Sequence, residues 1–338
     1  MINIAQQLGA ASPPRPLPLP VLAAVACLAP MSGVSDAAMR RIALQFGAGL
    51  VFSEMVASDQ YAKGDHEAHL RAEGAGVTPH VVQLAGCDPY WMGEAARLAE
   101  ASGAQMIDIN MGCPAKRVTG GYAGSALMRD LPLARRLIGA VTSAVKVPVS
   151  LKMRLGWDDQ SRNGDELARD AEGLGVRLIS VHGRTRQQFY KGRADWAAIR
   201  HVRAAVNLPV IANGDCTDLA SARTMLALSG ADGIMIGRAA TGQPWLPGMI
   251  GQGLAGGALR LPTSAARCAA ARQHLDGLLS TMGRRSGLLH ARKHLAAYAR
   301  HAGAPENLRL ALVDTTQAEI ALRLLGEVFR DDICDHAA

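Results

Sequence analysis

Residues 106–128 read MIDINMGCPAKRVTGGYAGSALM, and in this stretch an apolar strand leads directly into a glycine-rich loop with one cysteine. Alternation along the strand puts isoleucine and methionine on one face and Asp108 and Asn110 on the other. Polar side chains on the inner face of a strand predict a functional site at the point where the strand meets its loop. Cys113 lies at this junction, either as a reactive thiol or, alternatively, as a buried packing residue.

Segments with strand character alternate with helical patterns along the chain, which indicates a parallel sheet. They cover residues 21–29, 49–53, 80–84, 106–111, 147–155, 177–181, 209–212 and 233–236. Eight such units in roughly 230 residues predict an α/β fold of the (β/α)8 or TIM-barrel type. An open doubly wound sheet fits less well, because no G-x-G-x-x-G follows the first strand.

The pattern changes after the last predicted strand. Residues 251–264, GQGLAGGALRLPTS, predict a linker, and helical periodicity over residues 265–338 predicts an all-helical C-terminal domain. The barrel is expected to span residues 21–250. Residues 1–20 contain five prolines and one basic residue, which favours a flexible leader over a signal peptide.

Composition narrows the class of protein. The 338 residues have a formal charge of +7, which favours an anionic partner such as nucleic acid, although a merely basic surface is the alternative. The cysteines show no C-x-x-C pair, so we expect no metal site, no disulfides and a reducing, cytoplasmic compartment. No apolar run approaches the ~20 residues that span a bilayer.

Cations and glycine turns follow the later strands. Lys152 and Arg154 share the inner face of the fifth strand, where they need an anion or an internal salt bridge. The sixth strand ends at His182, and a loop with further cations follows it. The turns at residues 213–215 and 237–238 end the seventh and eighth strands, where barrels of this type bind phosphate.

The C-terminal helix at residues 288–301 has an apolar stripe with Arg292 and Lys293 beside it. A solvated charged face is one interpretation of these cations. A groove for an anionic polymer is the other.

Taken together, these motifs resemble the tRNA-dihydrouridine synthases, most closely the bacterial B-type subgroup that is sometimes named for a nitrogen-regulation locus. The resemblance covers nearly the whole chain. The matching segments are Ala29-Pro30-Met31, Ser53-Glu54-Met55, Gln83, Asn110 to Pro114, Lys152-Met153-Arg154, His182 to Thr185, Asn213 to Asp215, and Gly237-Arg238.

The resemblance implies an FMN-binding barrel, a helical tRNA-binding domain and NADPH, or NADH, as reductant of the flavin. FMN would be bound by Ala29, Pro30, Met31, Gln83, Lys152, His182, Asn213, Gly214, Asp215, Gly237 and Arg238. Cys113 would be the general acid at C5 of a uracil in the D-loop. Substrate contacts would come from Asn110, Arg154, Arg184, Arg292 and Lys293.

Two rival functions stay open at this level. An FMN barrel enzyme acting on a small pyrimidine would not need the basic helical domain. A tRNA-binding regulator without turnover would need no flavin. We expect a monomer whose partner is tRNA, with no membrane association.

Overall fold

The computed structural model describes residues 25–330, with the side chains of Val25 and Arg117 excepted. Residues 1–20, predicted as a leader, and residues 331–338 lie outside this range. Among the described residues, no helix is both long and apolar enough to cross a membrane.

Eight parallel strands form a closed barrel in the order β1-β8-β7-β6-β5-β4-β3-β2. The barrel closes where the Leu28 N–H donates to the Leu50 carbonyl over 2.8 Å. The strands are β1 Val25–Leu28, β2 Phe52–Ala57, β3 Val81–Ala85, β4 Met106–Met111, β5 Val149–Arg154, β6 Leu178–His182, β7 Val210–Asn213 and β8 Gly233–Ile236. The predicted TIM-barrel class is therefore confirmed.

The second strand departs most from its prediction. The sequence indicates residues 49–53, whereas β2 covers Phe52–Ala57. Ser53 and Glu54 lie inside the strand and are buried although they are polar. Hydropathy alone therefore ends this strand too early.

Helices pack around the barrel between the strands. They are α1 Ala37–Gln45, α2 Ser58–Ala62, α3 His66–Ala72, α4 Pro89–Ala101, α5 Lys116–Thr119, α6 Leu131–Ala144, α7 Gly164–Gly173, α8 Trp196–Ala204, α9 Leu219–Ser229 and α10 Leu246–Leu254. Short 3-10 helices cover Gly124–Arg129 and Arg238–Ala240. Aspartate side chains cap the first turns of six of these helices, at Asp36, Asp65, Asp88, Asp130, Asp195 and Asp218.

The barrel interior has two layers. At the N-terminal ends of the strands, Phe52, Leu178, Ile211 and Met235 pack together as a fully buried apolar floor. Two residues after Phe52, Leu178 and Ile211, the same inner faces have the polar side chains of Glu54, Ser180 and Asn213, because side chains on one face of a strand repeat every second residue. This polar layer faces the C-terminal mouth of the barrel.

Four helices follow the barrel, α11 Ser264–Met282, α12 Arg284–His301, α13 Glu306–Asp314 and α14 Ala318–Val328. Their core includes Leu275, Leu295 and Tyr298, and it also packs against Ile42 of α1 and Trp245. The helical region thus lies against the side of the barrel. Because α10 continues to Leu254, the irregular connection is shorter than the predicted linker.

Candidate functional site

A chain of buried hydrogen bonds crosses the polar layer and ends at the backbone of Cys113. The Ser150 hydroxyl and the Gln83 amide Nε2 each donate to a different oxygen of Asp108, both over 2.6 Å. Asn110 Nδ2 donates to Gln83 Oε1 over 2.8 Å. Asn110 Oδ1 then accepts from the Cys113 N–H over 2.9 Å. Three neighbouring strands therefore fix the start of the cysteine loop.

The strand register explains why these side chains meet. Gln83 lies beside Asp108 across β3 and β4, and Asp108 lies beside Ser150 across β4 and β5. Burial raises the pKa of Asp108 to about 6, although its hydrogen bonds oppose this shift. Asp108 and Ser150 were not assigned a role from sequence. The signal for Asp108 was its inward position in the strand.

The loop after Cys113 folds back onto the cysteine. The Cys113 carbonyl accepts hydrogen bonds from the Ser125 N–H over 3.1 Å and from the Ser125 hydroxyl over 2.8 Å. Gly124 has φ +59°, and a Cβ at this position would lie 2.8 Å from the Cys113 carbonyl oxygen. Glycine is therefore required there. The Cys113 side chain is partly exposed at the mouth of the barrel.

Lys152 and His182 lie on one side of the mouth, close to buried arginines. The Lys152 ammonium donates to Asn213 Oδ1 over 3.1 Å, and Asn213 Nδ2 donates to the Met235 carbonyl over 2.8 Å. Burial and the nearby Arg154 guanidinium lower the pKa of Lys152 to about 8. Burial and the same cations lower the pKa of His182 well below its ordinary value. An anion or an electron-rich ring at this site would relieve the repulsion.

The loop after β7 approaches His182 closely. Gly214 has φ +120°, and a Cβ there would lie 2.8 Å from a ring carbon of His182. Such a close approach of backbone to a cationic pocket is typical of phosphate sites in this fold. The donors present, with Lys152 and Gln83 facing the interior, therefore fit a flat cofactor that has a phosphate group.

Asp215 is the partner of two arginines in this region. Arg184 Nη1 and Nη2 contact its two carboxylate oxygens at 3.0 and 2.6 Å, and Arg238 donates to it over 3.3 Å. Partial burial would raise the pKa of Asp215, but the hydrogen bonds from Arg184 and from the Ala194 N–H bring it below its usual value. A phosphate beside Asp215 would thus meet its backbone and Arg238 rather than its carboxylate.

Arg154 and Arg184 are both almost fully buried. The Arg154 guanidinium donates to the carbonyls of Gly112, Thr185 and Phe189 over 2.8, 2.8 and 3.0 Å. It therefore joins the Cys113 loop to the loop after β6. Their predicted role in substrate binding stays a prediction, because these hydrogen bonds are made within the protein.

The loop at Ala29, Pro30 and Met31 lies at the C-terminal end of β1. Glu54 of β2 accepts a hydrogen bond from the Gly33 N–H, which fastens this loop. Burial raises the pKa of Glu54, while the Gly33 hydrogen bond lowers it. Sequence motifs included Glu54 but gave it no role.

Lys293 and Arg292 lie on α12, where the helical region meets the barrel. Asp36 Oδ2 lies 3.0 Å from His274 Nε2 and 3.6 Å from His294 Nε2, so this carboxylate joins α1 to α11 and α12. Burial alone would raise the pKa of Asp36, but His274 holds it far below its ordinary value.

Asp36, His290 and His294 each place a possible metal-ligand atom within 4.8 Å of the others. However, the Lys293 ammonium lies 3.3 Å from His290 Nε2, so a cation already lies against this histidine. We therefore interpret the cluster as a contact between the barrel and the helical region.

Comparisons with known proteins agree with this architecture. A family model described as "Dihydrouridine synthase (Dus)" matches residues 27–333. The chain is 50% identical over 307 residues to a "Probable tRNA-dihydrouridine synthase" of Rhodobacter capsulatus, which covers 90% of this chain and 94% of that protein. It is 45% identical over 299 residues to "tRNA-dihydrouridine synthase B" of Xanthomonas campestris, covering 87% and 90% of the two chains.

Solved structures with a similar fold include an amine oxidase. It is the 6-hydroxypseudooxynicotine amine oxidase of Pseudomonas geniculata, with a TM-score of 0.51 and 16% identity over 75% of this chain and 50% of that one. At this identity the similarity concerns the fold alone.

Proposed function

Since the chain belongs to the dihydrouridine synthase family, we propose that it reduces the C5–C6 double bond of a D-loop uridine in tRNA, using FMN and NADPH. The hydrogen-bond chain that ends at Cys113, beside the inward ammonium of Lys152, is the observation that supports this proposal most directly. The curated relatives are named as tRNA enzymes over most of this chain, which favours tRNA over a small pyrimidine and turnover over a purely regulatory role.

The mouth of the barrel has the groups that FMN binding needs. The loop at Ala29, Pro30 and Met31, together with Gln83 and Lys152, would hold the ring. His182, Asn213, Gly214, Asp215, Gly237 and Arg238 would surround the phosphate. When bound, the flavin supplies the hydride for C6 of the uracil. Lys152 would stabilise negative charge on the ring, since its ammonium points into the barrel.

Cys113 would donate the proton to C5 of the uracil. Its thiol is partly exposed at the mouth, whereas its backbone is held by Asn110 and Ser125. Asn110 uses one N–H for Gln83, which leaves the second for a carbonyl of the base. Arg154 would act by holding the cysteine loop against the loop after β6.

The helical domain of residues 265–338 would bind the body of the tRNA through phosphates, with Arg292 and Lys293 among the contacts. The net charge of +7 supports such a partner. We further propose that the protein is a cytoplasmic monomer.

Cys113→Ala tests the proposal. The variant should keep its flavin and its NADPH oxidation, but tRNA reduction should fall by roughly 10²- to 10⁴-fold, because a general acid is lost. Flavin absorbance, NADPH consumption and dihydrouridine in unmodified tRNA are the three measurements. Undiminished tRNA reduction would make Cys113 a packing residue. Failure of the wild-type protein to form dihydrouridine would contradict the function itself.

A further inference from the structure

Two arginines lie against one tryptophan at the rim of the barrel mouth. The guanidinium carbon of Arg129 lies 3.9 Å from the centroid of a Trp157 ring, and that of Arg186 lies 4.8 Å from it. Arg186 also lies 4.4 Å from the Phe189 ring. Both guanidinium groups therefore make cation–π contacts with Trp157.

In the part of the chain that the structure describes, these two charges have no acidic partner. Within residues 25–330, no carboxylate lies within the 4.0 Å ion-pair distance of either guanidinium. Arg186 donates to the Thr119 hydroxyl over 3.4 Å, and its Nε is buried without a hydrogen-bond partner. Two other exposed arginines have acidic partners, because Arg97 pairs with Glu94 and Arg169 pairs with Asp165.

Arg129 and Arg186 lie close to the loop that contains Cys113. Arg129 ends the 3-10 helix of the cysteine loop, Trp157 follows β5 and Arg186 follows β6. The three groups thus come from loops at the C-terminal ends of neighbouring strands. Thr119, which Arg186 contacts, belongs to the cysteine loop itself. Any anion bound here would lie next to the mouth.

We propose that Arg129 and Arg186 bind a backbone phosphodiester of the tRNA strand next to the uridine that is reduced. This inference rests on the proposed function. Arginine pairs favour phosphate oxygens because each guanidinium presents several N–H donors in one plane. Trp157 acts as the support that keeps both groups in place. A bound phosphate would supply the negative charge that the protein does not place there.

The double variant Arg129→Gln, Arg186→Gln removes both charges and keeps long polar side chains. The matched control, Arg97→Gln with Arg169→Gln, removes the same net charge from exposed arginines that have acidic partners. Affinity for unmodified transcribed tRNA is measured over a range of salt concentrations. We expect the double variant to bind tRNA at least about tenfold more weakly, with a salt slope lower by one to two units. The control should change neither quantity comparably.

Each remaining outcome has a defined meaning. Equal effects of the double variant and the control would overturn the inference, because general electrostatics would then suffice. An increased KM for NADPH with unchanged tRNA affinity would also overturn it, since the site would bind the phosphates of the reductant. The flavin content and Tm of the double variant must match those of the wild type. If they do not, the single variant Arg129→Gln tests the same site, because this exposed side chain can be changed with less disturbance of the fold. Direct tRNA binding does not need turnover, so this result is separate from the test of the proposed function.

Discussion

At the scale of single residues, the direction of one buried amide determines how Cys113 is held. An ionised carboxylate only accepts hydrogen bonds, so Asp108 forces Gln83 to present its Nε2. Gln83 must then offer Oε1 to the Asn110 amide, and Asn110 must offer its oxygen to the Cys113 N–H. The donor-to-acceptor direction of every hydrogen bond in this series therefore depends on Asp108.

Replacing Asp108 with leucine removes the acceptor but retains the branched shape of the side chain. The Gln83 amide then loses its fixed direction, and misplacement of the Cys113 loop should lower kcat for tRNA about 10²-fold. The rate of Cys113 alkylation by iodoacetamide should change as well. Ser150→Ala is the control, because it keeps both carboxylate oxygens and should have a small effect. Alkylation and turnover at wild-type rates in Asp108→Leu would contradict this role.

At the scale of elements, the strand-to-loop junctions decide which backbone groups reach the mouth. The loop after β7 depends on Gly214, whose φ of +120° is unfavourable for other residues. Its Cα lies so close to the His182 ring that even one methyl group would collide.

Gly214→Ala should therefore displace either the loop or His182. We expect flavin to be lost on purification or to exchange freely with added FMN, whereas Tm falls only moderately. Gly192→Ala is a useful control, because this glycine also has a positive φ but has open space around it. Flavin retention is read from absorbance at equal protein concentration. Full retention in Gly214→Ala would indicate that this loop does not contact the cofactor.

Hydropathy predicts the elements better than it predicts their contacts. Apolar runs locate β4 and β8 at their observed bounds, and alternation places Asp108 and Lys152 inside the barrel. The ion pair of Arg184 with Asp215 could not be inferred, because it joins two loops whose spacing depends on the closed sheet. The position of Glu54 inside β2 was not predicted either, since a charged side chain usually indicates a surface.

At the scale of the whole molecule, α12 is shared between the barrel contact and an exposed basic surface. Lys293 and Arg300 are exposed, while Leu295 and Tyr298 pack in the helical core. If this surface binds the body of the tRNA, its charges act independently of the catalytic mouth.

Neutralising Lys293 and Arg300 to glutamine should weaken tRNA binding and lower its salt slope by about one to two units. Flavin content and reduction by NADPH should stay at wild-type levels, since neither residue is at a strand end. Arg284→Gln with Arg309→Gln is the matched control, because both arginines are in the helical region and pair with glutamates. Unchanged tRNA affinity and an unchanged salt slope would show that the basic side of α12 is only a solvated surface. The tRNA body would then have to bind elsewhere, for example at the cations after β6.

The apolar floor of the barrel has a further consequence for the polar layer above it. Phe52, Leu178, Ile211 and Met235 are completely inaccessible to solvent, so water reaches Asp108 and Lys152 from the opposite end. A large molecule that binds over the mouth blocks this path for water. The bound substrate thereby also excludes water from the barrel interior, and the electrostatic interactions among the buried groups become stronger.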